Sequence, residues 1–300
     1  MRIICVVVTF NRKQLLKKCI DSLLSQSLKI DRILVVDNAS TDGTVGFIKE
    51  YYHNFEQIEI LKLTTNLGGA GGFHEGMKYA SELDYDWLWL MDDDGYPETE
   101  CLNKIYNFLF RKKLDAISPI QLNINEPNEL AFPVTYHGQQ IIGDYQQLSH
   151  VEYINQEANL FNGLLIRKNV VEKIGLPISD LFIRGDEVEY TKRMKKNKLS
   201  FGTLVDAKFF HPSDKNERIK VLFNLWTMRD AHSDFKNYYM FRNRAVAFIE
   251  DGNAWLLPLD LIRYTYYFLI VKKLNIKGLK LWCLATIDGI KGKLGRHSKY

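Results

Sequence analysis

Cysteine, proline and long apolar runs are scarce in this 300-residue chain, and each shortage excludes a class of protein. The four cysteines (Cys5, Cys19, Cys101 and Cys283) contain no CxxC pair, which argues against a zinc ribbon or a disulfide scaffold and predicts a reducing compartment. Seven prolines and 46% hydrophobic residues argue against collagen-like or disordered chains. The N-terminus lacks the pattern of a signal peptide, and no apolar run approaches the roughly 20 residues of a spanning helix, so we expect a cytoplasmic protein.

A positive charge excess is also missing from most of the chain. Residues 263–300 carry nine Lys or Arg against Asp288 alone, a local charge of +8, and the formal total of +4 therefore leaves −4 for residues 1–262. The negative net charge of residues 1–262 argues against a nucleic-acid partner. The basic end predicts contact with an anionic surface.

The sequence does contain a regular alternation of strand and helix patterns. A β-branched run at 3–8, typical of a strand buried on both faces, precedes a helical period from Leu15 to Leu24. The alternation continues with strands at 33–36, 58–63 and 87–91 and helices near 44–52 and 72–83. This order predicts an α/β fold, doubly wound, with a mostly parallel central sheet and helices on both faces. In such folds ligands bind at the carboxyl ends of the strands.

Polar loops follow the predicted strands and should meet at one crevice. One of them is glycine-rich: Asn66-Leu67-Gly68-Gly69-Ala70-Gly71-Gly72-Phe73. Its GGxGG spacing, and its place after the third strand, argue against a Rossmann dinucleotide loop and so against an oxidoreductase. Its glycines would let the backbone approach a sugar diphosphate, and the alternative is a tight loop that needs glycine for conformation alone.

Three adjacent carboxylates, Asp92-Asp93-Asp94, end the fourth strand pattern. They repel one another, so they need either a cation or full solvation. Because alternate residues of an extended chain project to the same side, Asp92 and Asp94 can both face a divalent metal while Asp93 points elsewhere. Hard oxygen ligands suit Mg²⁺ or Mn²⁺. An acidic surface turn is the alternative.

The second half of the chain gives fewer patterns. Residues 161–168 indicate a short strand, 170–175 a helix that Gly175 ends, and 201–210 a strand followed by His211. Asp186 and Glu187 open a helix pattern whose end is basic, an arrangement that the helix dipole alone would favour. Residues 119–155 give no clear period.

Taken together, four motifs resemble the inverting glycosyltransferases of family 2, which have the glycosyltransferase-A fold. They are Val7-Val8-Thr9-Phe10-Asn11-Arg12, Val35-Val36-Asp37-Asn38-Ala39-Ser40-Thr41-Asp42-Gly43-Thr44, Asn66-Leu67-Gly68-Gly69 and Asp92-Asp93-Asp94. Within the family, NxGGxGGF followed by DDD is most similar to bacterial galactofuranosyltransferases, whose donor is UDP-galactofuranose. Rhamnosyltransferases share the first two motifs.

The resemblance implies a role for each matched residue. The residues expected to bind substrate are Thr9, Asn11, Asp37, Asn66, Gly68, Gly69, Asp93, Asn162 and Gly163. The expected ligands of Mn²⁺ or Mg²⁺ are Asp92, Asp94 and His211, and a histidine would favour Mn²⁺, although a lone histidine is usually structural. The family normally has Glu-Asp or Asp-Asp where this chain has Asp186-Glu187. Aligning Gly185 places Glu187 on the catalytic base, and the choice between Asp186 and Glu187 stays open.

We expect three regions: a nucleotide-sugar-binding half at 1–118, an acceptor-binding and catalytic-base half at 119–237, and a C-terminal helical extension at 238–300. The extension begins with a stretch similar to the family's YYxxRN, and it continues as basic, aromatic amphipathic helices. These predict peripheral contact with the inner face of a membrane, with Tyr264, Tyr266, Tyr267 and Trp282 at the headgroups. Packing on the body or a homo-oligomer interface is the alternative.

These expectations describe a metal-dependent inverting hexosyltransferase of bacterial polysaccharide and cell-envelope synthesis. It would move galactofuranose from UDP-galactofuranose to a glycan or lipid-linked glycan acceptor. Transfer of rhamnose from dTDP-rhamnose is the alternative. A non-catalytic nucleotide-sugar- or carbohydrate-binding protein would need neither acid cluster. A nucleotidyltransferase would need a basic glycine-rich loop after the first strand, which Thr9-Phe10-Asn11-Arg12 lacks.

Overall fold

A central mixed sheet with helices on both faces forms the body of the protein in a computed structural model that describes residues 1–141, 143–213 and 215–300. Its main path runs β3-β2-β1-β4-β10-β6-β11-β5, and β9 pairs with β11. The strands are β1 Ile3–Thr9, β2 Arg32–Asp37, β3 Ile58–Lys62, β4 Trp87–Asp92, β5 Tyr96–Pro97, β6 Ala116–Asn123, β7 Val134–Tyr136, β8 Gln139–Ile141, β9 Tyr153–Asn155, β10 Asn162–Arg167, β11 Phe201–His211, β12 Arg218–Val221 and β13 Trp226–Arg229. The helices are α1 Lys13–Leu24, α2 Thr44–Tyr51, α3 Gly68–Ser81, α4 Cys101–Lys112, α5 Lys168–Ile174, α6 Asp186–Lys196, α7 Asp234–Glu250, α8 Leu257–Tyr266 and α9 Ile276–Ile290.

The β-branched runs are buried because the sheet is covered on both sides. In β1 alternate side chains enter two different cores, with Cys5 and Val7 on one face and Val6 and Val8 on the other. Strands β1 to β4 pair in parallel, whereas β10 runs antiparallel between β4 and β6. The predicted α/β class and the mostly parallel sheet are confirmed.

The segment without a clear period holds part of this same sheet. Strand β6 is fully buried, although Pro119 lies within it, and it pairs with β10 and β11. The expected division at 118/119 therefore falls inside a strand, and the first two regions share one sheet. That division stays a prediction about roles.

A third core joins the C-terminal helices to the body. Helices α7 and α9 pack together, and Tyr264, Tyr267 and Trp282 are at most 5% exposed within this core. The expectation that these three rings lie at membrane headgroups is therefore wrong, because they fill the gap between the helices. Their neighbours Ile262, Ile270 and others face outward.

One helical stretch among the described residues, Ala254–Val271, is long and apolar enough by composition to cross a membrane, with 22% of it buried. Such a single stretch is weak evidence for a span. Its Asp260 is buried and contacts Arg244 of α7, so this side of the stretch is tied to the body.

Candidate active site

The carboxyl ends of the parallel strands bring the predicted polar residues together. In the sheet register Thr9 pairs with Asp37, and Val8 pairs with Asp92. The Asn11 side-chain oxygen accepts a hydrogen bond from the Thr41 backbone, 2.7 Å away, which joins the loops after β1 and β2. Residues predicted from separate motifs therefore share one edge of the sheet.

Asp93 turns into the protein, as expected for the middle member of the acid run. It is 3% exposed, and its Oδ2 accepts a hydrogen bond of 2.6 Å from the Thr9 hydroxyl. The Arg12 guanidinium lies 3.2 Å from Asp93 Oδ1 and 2.8 Å from Asp94 Oδ2. Arg12 thus supplies a compensating cation, a role that its motif alone does not predict.

Burial and mutual repulsion raise the pKa of two of these three carboxyl groups. Burial, with Asp94 and Asp93 adding to it, raises the pKa of Asp92 well above its ordinary value, and burial raises the pKa of Asp93 to about 6. Burial acts in the same direction on Asp94, but contact with His211 and the charges of His211 and Arg12 outweigh it, so the pKa of Asp94 is lowered. A divalent cation would relieve the repulsion and release protons.

His211 ends β11 beside Asp94 in an orientation that suits a metal ligand. Its Nδ1 lies 2.6 Å from the Pro212 carbonyl oxygen, which places the ring proton on Nδ1. Its Nε2 lies 3.0 Å from Asp94 Oδ1, so a proton on Nε2 would be shared with this carboxylate. A metal-binding histidine typically donates its other N–H to a carbonyl, as Nδ1 does here, and loss of the Nε2 proton would leave Nε2 and Oδ1 able to bind the same ion.

A complete protein shell for a metal is not formed by the described residues, in which no three His, Cys, Asp or Glu side chains are grouped closely enough. Asp94 and His211 nevertheless fit a divalent ion that takes its other ligands from substrate phosphates and water, as Mg²⁺ and Mn²⁺ commonly do. The share of Asp92 in this site stays a prediction.

The glycine segment forms the first turn of α3, and most of its glycines allow close packing. A Cβ at Gly68, which has φ +73°, would lie 2.1 Å from the Phe182 carbonyl oxygen, and one at Gly72 would lie 2.5 Å from Val8. A Cβ at Gly69 would meet no atom within 4 Å among the described residues, so this position is open to a ligand. The conformational alternative therefore explains Gly68 and Gly72, whereas Gly69 keeps its predicted place beside the donor.

Asn38, which sequence reasoning left without a role, fixes this glycine turn. Its side chain donates to the Gly68 carbonyl and accepts from the Leu67 backbone, both at 2.8 Å, and it is 2% exposed. Asn66 accepts from the Gly68 backbone at 2.8 Å. The sequence signal for this role was the position of Asn38, directly after Asp37 at the end of a predicted strand.

Two buried oxygens at this edge accept no hydrogen bond from the described part of the chain: Asp37 Oδ2 and Asn162 Oδ1. Asp37 is fully buried, and its other oxygen accepts from the Ser40 backbone. Gly163, with φ +95°, allows the bulge that shifts β10 against β4, and its carbonyl accepts from the Trp89 ring. Buried acceptors without partners are costly, so both oxygens are candidates to bind substrate hydroxyl or N–H groups.

Asp186 and Glu187, the acidic pair, lie at the N-terminus of α6. Their charges interact with that of Asp92 in the triple aspartate. Burial, the charge of Glu187 and a hydrogen bond to Glu187 together raise the pKa of Asp186 well above its ordinary value, and Asp92 adds to this. The Asp186 carboxyl is therefore protonated more readily than an exposed aspartate. Glu187 is half-buried and is therefore the more accessible of the two carboxyl groups.

A strained loop carries this pair and is held from behind by α7. Phe182 and Arg184 have φ values of +65° and +64°, which cost energy in residues other than glycine. The Asn243 amide donates to the carbonyls of Leu181, Ile183 and Arg184 at 2.9, 3.0 and 2.6 Å. Arg242, 1% exposed, donates to the Leu181 carbonyl at 2.9 Å. The Arg-Asn pair of the YYxxRN-like stretch thus positions the acidic pair.

The loop before α6 also contacts the glycine turn, because the Ala70 backbone N–H donates to the Phe182 carbonyl at 3.0 Å. The triple aspartate, the glycine turn and the acidic pair therefore form one site.

Residues 4–175 match the family described as Glycosyl transferase family 2. This chain belongs to that family. The predicted family membership is confirmed.

A glycosyltransferase family 2 relative covers nearly the whole chain. Galactofuranosyltransferase GlfT1 of Mycolicibacterium smegmatis is 33% identical over 99% of this chain and 98% of its own length. Among solved structures, S. aureus TarS 1-349 in complex with UDP-GlcNAc superposes with a TM-score of 0.59 at 17% identity, over 97% of this chain and 81% of TarS. Mannosyltransferase PcManGT from Pyrobaculum calidifontis in complex with GDP-Man and Mn²⁺ has a TM-score of 0.54 at 15% identity, over 97% of this chain and 75% of its own. These two likenesses confirm the expected glycosyltransferase fold.

Proposed function

We propose that the protein transfers galactofuranose from UDP-galactofuranose to a hydroxyl of a glycan acceptor, with inversion at the anomeric carbon, in bacterial polysaccharide synthesis. The observation that carries the reaction class is the contact between the loop that leads to Asp186 and Glu187 and the glycine turn at the strand ends, where the Ala70 N–H donates to the Phe182 carbonyl at 3.0 Å. The donor sugar is supported by the nearly full-length similarity to GlfT1. A binding protein without turnover would have no use for the two acid clusters that meet here.

Glu187 is the proposed general base that removes the proton of the acceptor hydroxyl. A base must be ionised and within reach of that hydroxyl. Glu187 is the more exposed of the two side chains, whereas burial raises the pKa of Asp186 and makes it the poorer candidate. Asp186 then acts by orienting Glu187.

The donor nucleotide is proposed to lie over the ends of β1, β2 and β4. The Asp37 oxygen that has no partner among the described residues would bind the nucleoside beside Thr9 and Asn11. The open face of Gly69 would lie near the diphosphate, with Asn66 and Gly68 shaping that turn. Asn162 and Gly163 would close the sugar end, while Asp93 holds Thr9 and Arg12 in place.

Asp94 and His211, with Asp92, would hold Mn²⁺ or Mg²⁺. When bound, the ion would neutralise charge that develops on the departing diphosphate. A histidine ligand favours Mn²⁺. PcManGT, whose fold is similar, is described with Mn²⁺.

A donor panel tests the proposed function. Purified protein is incubated with UDP-galactofuranose, UDP-galactopyranose, UDP-glucose and dTDP-rhamnose plus Mn²⁺, and nucleotide release and product mass are measured. We expect preferential turnover of UDP-galactofuranose and little activity in excess EDTA. Preference for dTDP-rhamnose would show that the proposed donor is wrong and that the enzyme transfers rhamnose. Absence of turnover with every donor would favour the non-catalytic alternative.

We also propose that the C-terminal helices hold the enzyme on the inner face of a membrane without crossing it, close to a lipid-linked acceptor. Four outward apolar side chains carry this proposal: Trp255, Ile262, Ile270 and Leu274 are 60–71% exposed. The basic charge near them is smaller than its formal value because four of the nine basic residues pair with acids: Arg263, Lys272, Lys277 and Lys293. Each remaining basic residue would contribute about 1 kcal/mol at an anionic surface.

Flotation with phosphatidylserine-containing vesicles tests this location. We expect salt-sensitive binding that Ile270→Glu together with Leu274→Glu weakens. Phe110→Glu, at an equally exposed position on α4, is the matched control and should bind normally. Protein that stays at the bottom of the gradient at both low and high salt would overturn the proposal, and sedimentation would then show whether a second copy covers this face.

A further inference from the structure

A cavity of about 400 Å³ opens beside Glu187, and its lining comes from elements other than the loops assigned to the nucleotide. Its lining comes from position 140, the start of α6, strands β12 and β13, and helices α7 and α8. A cavity that includes the base carboxylate in its wall is where an acceptor hydroxyl has to approach. Its volume is in the range of small-ligand sites.

The wall of this cavity is rich in cations. Six cationic side chains line it: Arg184, Lys192, Arg218, Arg229, Arg244 and Arg263. The lining carboxylates within the described ranges are those of Glu187 and Asp251, and Asp251 pairs with Lys192 at 2.5 Å. Arg184 and Arg229 both pair with Glu217, at 2.7 and 3.3 Å, so these two cations also have a counter-ion within the protein.

The guanidinium groups of Arg244 and Arg263 share the carboxylate of Asp260. Buried Asp260 accepts two hydrogen bonds from Arg244, at 2.5 and 3.2 Å, and one from Arg263 at 3.2 Å. The trio therefore keeps one positive charge. Arg263 Nε is also buried without a hydrogen-bond partner among the residues described. The Arg244 side chain is 41% exposed and that of Arg263 is 20% exposed, so both guanidinium groups are accessible to an anion that enters the cavity.

We propose that this cavity binds a phosphate group of the acceptor, through Arg244 and Arg263. This inference rests on the proposed function and names the chemical class of its acceptor: a sugar that carries a phosphate next to the unit that receives the new residue. Guanidinium groups bind phosphate through paired, charge-assisted hydrogen bonds, which a neutral glycan cannot form. The donor phosphates lie elsewhere, over the ends of β1, β2 and β4.

Calorimetry with two probes that differ by one phosphate tests the inference. Galactosyl octyl phosphodiester and octyl galactoside are titrated into the full chain preloaded with UDP and Mn²⁺. We expect the phosphodiester to bind about tenfold to a hundredfold more tightly, with a preference that falls as salt rises. Equal affinities, or no binding of either probe, would overturn the inference.

Variants identify the cavity. Arg244→Gln and Arg263→Gln should each reduce the phosphate preference at least tenfold, and Arg244→Lys, which keeps the charge but loses the fork, should give an intermediate value. Arg111→Gln, at an exposed arginine on α4, is the control and should retain the preference. Melting curves check folding, and Arg263→Gln serves if Arg244→Gln is unstable.

Two further readouts separate the possible sources of failure. UDP affinity measured on the same variants should stay within twofold, and a parallel loss of UDP affinity would assign the arginines to the donor and overturn the inference. A diphosphate probe with the same octyl chain distinguishes a lipid diphosphate from a phosphodiester, since both should exceed the neutral glycoside. Absence of UDP-galactofuranose turnover with an intact phosphate preference would overturn the proposed function and leave the cavity assignment standing.

Discussion

The donor side of the site takes its polar groups from loops that directly follow buried strands, whereas the acceptor side takes them from helices packed around a strained loop. On the donor side Thr9, Asp37 and Asp92 lie in register because their strands are hydrogen-bonded neighbours. On the acceptor side Glu187 depends on Asn243, which is 56 residues away along the chain and contacts its loop through three carbonyls. The sheet therefore positions donor groups locally, and long-range helix packing positions the base.

The largest expected effect comes from removing the base on the acceptor side. Glu187→Gln should lower kcat by about 10²–10⁴-fold with donor affinity kept, because the amide cannot take the acceptor proton. Asp186→Asn is the matched variant and should lose far less, since Asp186 is buried and its raised pKa favours the neutral form, which asparagine imitates. Single-turnover transfer from UDP-galactofuranose and UDP titration measure both quantities.

The reverse order of effects would contradict this assignment. An inactive Asp186→Asn beside a nearly normal Glu187→Gln would make Asp186 the base. Loss of thermal stability together with activity in Glu187→Gln would indicate that the acid stabilises the start of α6 through the helix dipole.

The second prediction concerns the end of β11, where the two sides meet. His211→Ala should weaken Mn²⁺ binding about tenfold to a hundredfold, because it removes a nitrogen that faces Asp94 at 3.0 Å. Electron paramagnetic resonance of free Mn²⁺ in the presence of UDP measures this affinity directly. His53→Ala, at an exposed histidine, is the control, and equal Mn²⁺ affinity in both variants would remove His211 from the metal site.

The same contrast explains how much of the structure the sequence could predict. Strands β1 to β4 and their loops follow from apolar runs and polar strand ends, because each is encoded within a few consecutive residues. The expected ligands Asp94 and His211 do lie together. Arg12 and Asn38 were missed as supporting residues, because their role depends on which loops become neighbours.

The C-terminal half was less predictable because its aromatic residues fit two environments equally well. Tyr264, Tyr267 and Trp282 on amphipathic helices are compatible with a membrane boundary or with an interior. Only the packing of α7 on α9 places them inside. Strand β6 gave no period because it is buried on both faces and contains Ser118, Pro119 and Gln121.

The third prediction compares two asparagines of α7. Asn243→Ala removes three hydrogen bonds to the strained loop, so kcat should fall roughly tenfold and the free energy of unfolding by about 1–3 kcal/mol. Asn237→Ala loses its bonds to Asp230 and Ala231 instead, and it should lower stability without the loss of kcat. Equal kcat in the two variants would show that the loop keeps its shape without Asn243.

The last and smallest effect lies wholly within the C-terminal packing. Asp230 follows β13 and accepts hydrogen bonds from Asn237 and Tyr267, with Lys272 3.2 Å away. Burial alone would raise the pKa of Asp230, but these hydrogen bonds outweigh it and lower the pKa to about 2. A lowered pKa means that the ionised form stabilises the folded state, fully above the unfolded pKa near 4 and progressively less as the pH falls through about 2. The shift corresponds to about 2 kcal/mol at pH 7.

Asp230→Asn should therefore reduce the free energy of unfolding by about that amount at pH 7 and by clearly less at pH 3. Urea denaturation measures both values, and UDP affinity should be unchanged. A destabilisation that is the same at both pH values would mean that Asp230 acts through packing and hydrogen bonds alone, and a loss of UDP affinity would show that the C-terminal helices and the donor side are coupled more tightly than their separate construction indicates.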